Sequence, residues 1–143
     1  VTPDGDLFVL VLKPVPEACK EARDLVGFAF LHWGLEDYTA RLVVSELITN
    51  AVRASAAGQH IVVRVLLADG ETPTIEVWDQ SGEMPTVQAA GPAEETGRGL
   101  FLVEQLVRSW GTRPLAEGGK ITWARLHAVP VDGGEGSDQD AQV

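Results

Sequence analysis

Leu42-Val43-Val44-Ser45-Glu46-Leu47-Ile48-Thr49-Asn50-Ala51-Val52 forms the centre of a segment over residues 37–56 that reads as a helix. Asp37 is a candidate N-cap, and Gly58 marks the expected end. The segment is apolar nearly all round, as a helix packed between two layers would be. Glu46 and Asn50 nonetheless stand inside it four residues apart, so both side chains share one face, with Thr49 and Arg53 beside them. Burying a carboxylate without a partner is costly. These residues therefore either line a polar site or form an ordinary solvent-facing stripe in which nearby arginines support Glu46. Periodicity does not separate the two readings.

Working outward toward the N-terminus, residues 16–33 repeat apolar side chains at Ala22, Leu25, Val26, Ala29 and Trp33, the spacing of one buried helical face. Pro16 suits the first turn and Gly34 the end of that helix. Before it, Leu7-Phe8-Val9-Leu10-Val11-Leu12 reads as a buried strand.

Toward the C-terminus, residues 60–67 read as a strand. Asp69-Gly70 is a hairpin signal, and residues 74–78 alternate as the antiparallel partner. Residues 80–98 are rich in Gly, Pro, Ala, Ser and Glu, with no periodicity. Loops this long are often lids or disordered. A third helix is expected over 99–109. Residues 111–116 and 120–128 are expected to form a closing hairpin that turns at Glu117-Gly118-Gly119. The order β-α-α-β-β-loop-α-β-β predicts an α+β domain. The expected form is a two-layer sandwich over residues 5–128, with a mainly antiparallel mixed sheet and three helices on one face. An acidic tail, 129–143, is expected to be disordered.

Composition narrows the function. The chain has 143 residues, 45% hydrophobic and 22% charged, which suits one globular domain. Its longest apolar run is far shorter than the roughly 20 residues of a membrane helix. No basic stretch followed by an apolar block opens the chain, so no signal peptide is expected. The first residue is Val rather than Met, which leaves room for an upstream segment. The single cysteine, Cys19, allows no internal disulfide and suggests a cytoplasmic setting. His32, His60 and His127 lie too far apart for metal-ligand spacing. A formal net charge of -10 argues against nucleic acid and anionic membrane as partners. A nucleotide remains compatible where local positive groups and a cation meet its phosphates.

Two further motifs carry chemistry. Asp79-Gln80-Ser81-Gly82 leaves a strand and enters the long loop, where aspartate is also a common turn residue. Gly97-Arg98-Gly99-Leu100 closes the loop and opens the third helix. Free backbone N–H groups there attract phosphate, although any flexible loop can carry such glycines.

Taken together and in this order, the motifs resemble those of the GHKL (Bergerat-fold) ATPases. Ser45 to Val52 is similar to the N-box, Val77 to Gly82 to the first glycine box, and Thr96 to Leu100 to the second. Gly118-Gly119-Lys120-Ile121-Thr122-Trp123 is similar to the last strand pair. The match spans about residues 5–128 and is closest to the anti-sigma-factor, serine-kinase branch. The resemblance implies ATP and Mg²⁺ as cofactors. Asn50 would hold the metal through its side-chain oxygen, and Glu46 would be the general base. Asp79 would accept a hydrogen bond from the adenine amine, a charged bond worth roughly 1.5–3 kcal/mol and enough for most of the choice of adenine over guanine. Arg53, Ser81, Gly82, Gly97, Arg98, Gly99, Leu100 and Thr122 would complete the nucleotide site. Ser81 stands where the family usually has glycine. Lys120 stands where it usually has threonine, with Thr122 nearby.

The implied activity is a protein serine kinase that phosphorylates an anti-sigma-factor antagonist and controls a sigma factor, with a homodimer expected by analogy. The rival is a catalytically silent, ATP-gated protein-binding module. A detached histidine-kinase catalytic domain ranks last. That class normally adjoins a helical hairpin carrying the phosphorylated His, and the residues before Leu7 supply none.

Overall fold

The computed structural model describes residues 6–82 and 95–131, with only the backbone described for 95–98. In chain order the elements are β1 (Leu7–Leu12), α1 (Glu17–Trp33), α2 (Tyr38–Ala54), β2 (Ile61–Ala68), β3 (Thr72–Asp79), α3 (Glu95–Leu106), β4 (Ser109–Pro114) and β5 (Lys120–Arg125). The strands form one sheet in the order β1-β2-β3-β5-β4. Each neighbouring pair is antiparallel.

The two-residue period of the strands sorts their side chains. Phe8, Leu12, Ile61, Val63, Val65, Ile75, Val77 and Ala124 point to one face and join a single core with Val26, Phe30, Val43, Val44, Leu47, Ile48, Leu100 and Val103 from the helices. Each such Val, Leu, Ile or Phe side chain contributes about 1.5–3 kcal/mol by leaving water. Leu47→Ala would cost about 2–5 kcal/mol, because the cavity adds to the lost transfer energy. The other sheet face carries Arg64, whose guanidinium lies 3.0 Å from Glu76 Oε1, and Trp78, whose indole N–H donates to the same oxygen at 3.2 Å. The predicted arrangement, helices on one face of a mainly antiparallel sheet, is the one observed.

Turn chemistry explains the connections. Gly34 ends α1 in the left-handed conformation, φ 72°, with its N–H on Leu31 O and the Leu35 N–H on Phe30 O. This is a Schellman motif. Asp69 and Gly70 both take positive φ, 56° and 76°, which matches the twist of the β2–β3 hairpin.

Several boundaries differ from the sequence reading, each for a visible reason. Helix α2 stops at Ala54, not near Gly58, because Ser55 turns extended and its hydroxyl donates to Ala51 O at 2.7 Å. Asp37 holds the N-cap position of α2 as expected, but its carboxylate makes no capping hydrogen bond and lies 3.7 Å from Arg41 instead. Helix α3 begins at Glu95, inside the segment expected to be loop, and ends at Leu106. The Arg108 N–H donates to Arg125 O at 2.8 Å, which draws the chain into β4 two residues earlier than expected. Residues 129–131, assigned to the disordered tail, are tied down: Glu36 N–H donates to Val129 O at 2.7 Å and Val131 N–H to Gly34 O at 2.9 Å. The rest of the expected tail, 132–143, and the centre of the expected lid, 83–94, lie outside the described residues.

Candidate functional site

Helix α2 packs against α1 and α3 on either side and against β3 of the sheet. Its buried residues are Ala40, Val43, Val44, Leu47, Ile48 and Ala51, which leaves Glu46 and Asn50 half-buried on the remaining face. Among the described residues neither side chain makes a hydrogen bond or ion pair, so both keep their oxygens unspent. Glu46 reaches Gly99 of α3: a Cβ built on Gly99 would collide with its Oε1 and stand 3.2 Å from its carboxyl carbon. The absence of a side chain at Gly99 is what lets the carboxylate lie against α3. The structure thus brings the expected base and the second glycine motif together.

Asp79 ends β3 on the core-facing side, and its side chain is 2% exposed. Its Oδ1 accepts the Ser81 N–H at 2.9 Å, closing an Asx turn. The same oxygen lies 2.9 Å from Nζ of Lys120, itself 3% exposed. The pairing follows from register, since Asp79 and Lys120 face each other across β3 and β5. The turn reading and the binding reading of Asp79 are therefore compatible. One oxygen serves the turn and Lys120, and among the described residues no hydrogen bond reaches Oδ2.

Two neighbours fix this corner. Gln80 Oε1 accepts the His60 N–H at 2.8 Å, which ties the end of β3 to the approach of β2. Gly119, at φ 85°, packs on the Asp79 backbone so closely that a Cβ would collide with the Asp79 carbonyl oxygen and stand 3.1 Å from Gln80 Cα. Only glycine fits there.

The other expected site residues distribute as follows. Thr122 is buried one turn of the pleat further in, paired with Val77, its hydroxyl 3.5 Å from that of Thr112. Lys120, not Thr122, is the residue that meets Asp79. Leu100 is 1% exposed and its side chain belongs to the core, so it offers a ligand no side-chain contact. Arg53 stands exposed in the last turn of α2, and Gly82 is exposed beyond Ser81. Gly97 and Arg98 lie in the first turn of α3, where only the backbone is described. Lys120 is the residue that sequence reasoning missed as a partner of Asp79. Its signal was a lysine opening an otherwise apolar strand right after a Gly-Gly turn.

A five-stranded antiparallel sheet, three helices on one face, an acidic strand end and a polar stripe on the central helix together define the Bergerat, or GHKL, ATP-binding fold. The sequence comparison agrees: the family described as the histidine kinase-like ATPase domain matches residues 12–126. The chain belongs to that family and contains a GHKL-type ATPase domain. The sequence has no match among curated proteins. Among the described residues no helix is long and apolar enough to cross a membrane.

Proposed function

We propose that the chain is an ATP-binding regulatory protein of the anti-sigma-factor type, acting as a serine kinase on an anti-sigma-factor antagonist and so setting the availability of a sigma factor, as a homodimer. The observation that supports it best is Asp79, buried, oriented by two donors on one oxygen and with the other oxygen unspent. An adenine amine is a fitting donor for that oxygen. The unspent side-chain oxygen of Asn50 fits a hard cation such as Mg²⁺. Among the described residues no group of three or more His, Cys, Asp or Glu converges on a metal position, so phosphate and water would supply most of the metal's shell. Bound magnesium would neutralise charge on the phosphates during transfer.

The chain's own residues then divide the work. Asp79 orients the base. Glu46, against Gly99, takes the proton of the attacking serine hydroxyl as its oxygen bonds to the γ-phosphorus and ADP departs. The first turn of α3, with Gly97 and Arg98, receives the phosphates.

Glu46→Gln tests the reading. The variant should bind ATP as the parent does while transfer to a candidate antagonist, followed by phosphate label, falls by about 10²–10⁴-fold. Undiminished transfer would remove Glu46 from the role of base. The second reading, an ATP-gated binding module without catalysis, draws support from the lack of any described hydrogen bond that orients Glu46. It predicts no transfer by the parent chain to any antagonist.

A further inference from the structure

The two edges of the sheet differ in kind. One is β4, Ser109-Trp110-Gly111-Thr112-Arg113-Pro114, where a glycine, an exposed arginine and a proline discourage a further strand. The other is β1, Leu7-Phe8-Val9-Leu10-Val11-Leu12, six apolar residues without charge, glycine or proline. Among the described residues no strand pairs with its outer side. One bond fixes the direction of its backbone groups: Asp6 O accepts the Leu67 N–H at 3.2 Å. Antiparallel residues alternate between facing their partner strand and facing away from it. Phe8, Leu10 and Leu12 therefore face β2 as Asp6 does, and Leu7, Val9 and Val11 turn their N–H and C=O groups outward. Exposed apolar side chains stand beside that open row: Val9 at 42%, Val11 at 59%, and Phe28 of α1 at 62%, whose ring meets Phe8 edge-on at 5.6 Å. Native proteins blunt or cover an edge of this length and composition. This chain blunts β4 and leaves β1 plain.

We propose that β1 pairs antiparallel with β1 of a second copy of this chain about a two-fold axis at Val9, joining two five-stranded sheets into one of ten strands. This rests on the homodimer in the reading given above and names its interface. The axis stands perpendicular to the sheet, so paired residues share a face. It falls at Val9 because only that register engages all three outward residues of both strands, Val9 with Val9 of the partner subunit and Leu7 with Val11 of the partner subunit. Each outward N–H then meets a carbonyl of the other strand. Charge favours the arrangement. Residues 7–12 carry none, which lets chains of net charge -10 approach there. Antiparallel pairing brings Asp6, before the strand, alongside the partner's Lys13, after it, at both ends. Parallel pairing would set like charges together. The blunted β4 edge stops further growth, so the assembly closes at two copies.

The test is analytical ultracentrifugation of the chain over a wide range of concentration, beside two variants. Val9→Lys sets two lysines against each other at the axis, and Val9→Pro deletes the outward N–H. In the single chain both changes lie on the open side of an edge strand and spare the bonds between β1 and β2. The parent should dimerise, and each variant should weaken the dimer by at least about tenfold. Residue-resolved hydrogen exchange gives a second readout. The Val11 amide should exchange slowly in the parent dimer and fast in both variants, while the Leu10 amide, which faces β2, stays slow in all three. If the parent dimerises, both variants dimerise equally and Val11 exchanges fast, another surface forms the dimer and the inference is overturned. A parent that grows past two copies overturns it as well. If the parent stays monomeric, the homodimer itself falls, and the two failures are thereby told apart.

Discussion

Replacing Asp79 by Asn removes one charge and almost no volume, and its consequence can be worked from the geometry. The amide oxygen can still accept the Ser81 N–H, so the turn is kept, with its contribution of about 1 kcal/mol. Lys120 loses its counter-ion in a position 3% exposed to solvent. Breaking a buried pair from one side costs about 3–5 kcal/mol, because the remaining charge is left uncompensated. That is a large share of the roughly 5–15 kcal/mol that holds a domain folded. With a urea slope near 2 kcal/mol per molar, the unfolding midpoint should fall by roughly 1.5–2.5 M. The assay is urea unfolding without nucleotide, followed by the fluorescence of the four tryptophans. The double change Asp79→Leu with Lys120→Met removes both charges and should recover most of the loss. A midpoint for Asp79→Asn within about 0.3 M of the parent, at equal slope, would refute the buried pair as a stabilising element. The same variant should lose ATP affinity, a loss that counts only under conditions where the variant is folded.

Three other substitutions probe separate parts of the site. Asn50→Ala should abolish the magnesium dependence of ATP binding, measured by titration with and without the metal; a persisting dependence would place the metal elsewhere. Gly99→Ala puts a methyl group where the Glu46 carboxylate lies, a flexible side chain that can swing away. Stability should hold or rise by up to about 1 kcal/mol from helix propensity. Phosphoryl transfer should fall, and equal activity would separate Glu46 from α3. Gly119→Ala must adopt φ 85° and push the Asp79 carbonyl aside. A destabilisation of at least about 2 kcal/mol in thermal or urea unfolding is expected, and a neutral result would contradict the tight approach.

Local rules carried the sequence reading where the structure is local. Gly34, Asp69-Gly70 and Gly118-Gly119 stand at positive φ, as their positions between periodic segments imply. The alternation in 74–78 gave β3 its buried face. What stayed hidden depends on distant partners. The Lys120–Asp79 pair joins residues 41 apart and exists only because of the β3–β5 register. The early start of β4 depends on Arg125, and the anchoring of 129–131 on Gly34 and Glu36. The end of α2 was misplaced because Ser55 supplies a cap that composition favours less than glycine. Motif order pointed to Asp79 and Glu46, yet nothing local showed that Asp79 shares its site with a buried cation.

The central claim is that Asp79 and Asn50 receive the two ends of one magnesium nucleotide. A crystal structure with a non-hydrolysable ATP analogue and magnesium tests it directly. The account predicts the base amine within hydrogen-bonding reach of Asp79 Oδ2 and the metal on the Asn50 oxygen. An analogue seated elsewhere, or a cleft closed by the protein's own side chains at saturating ligand, would contradict it.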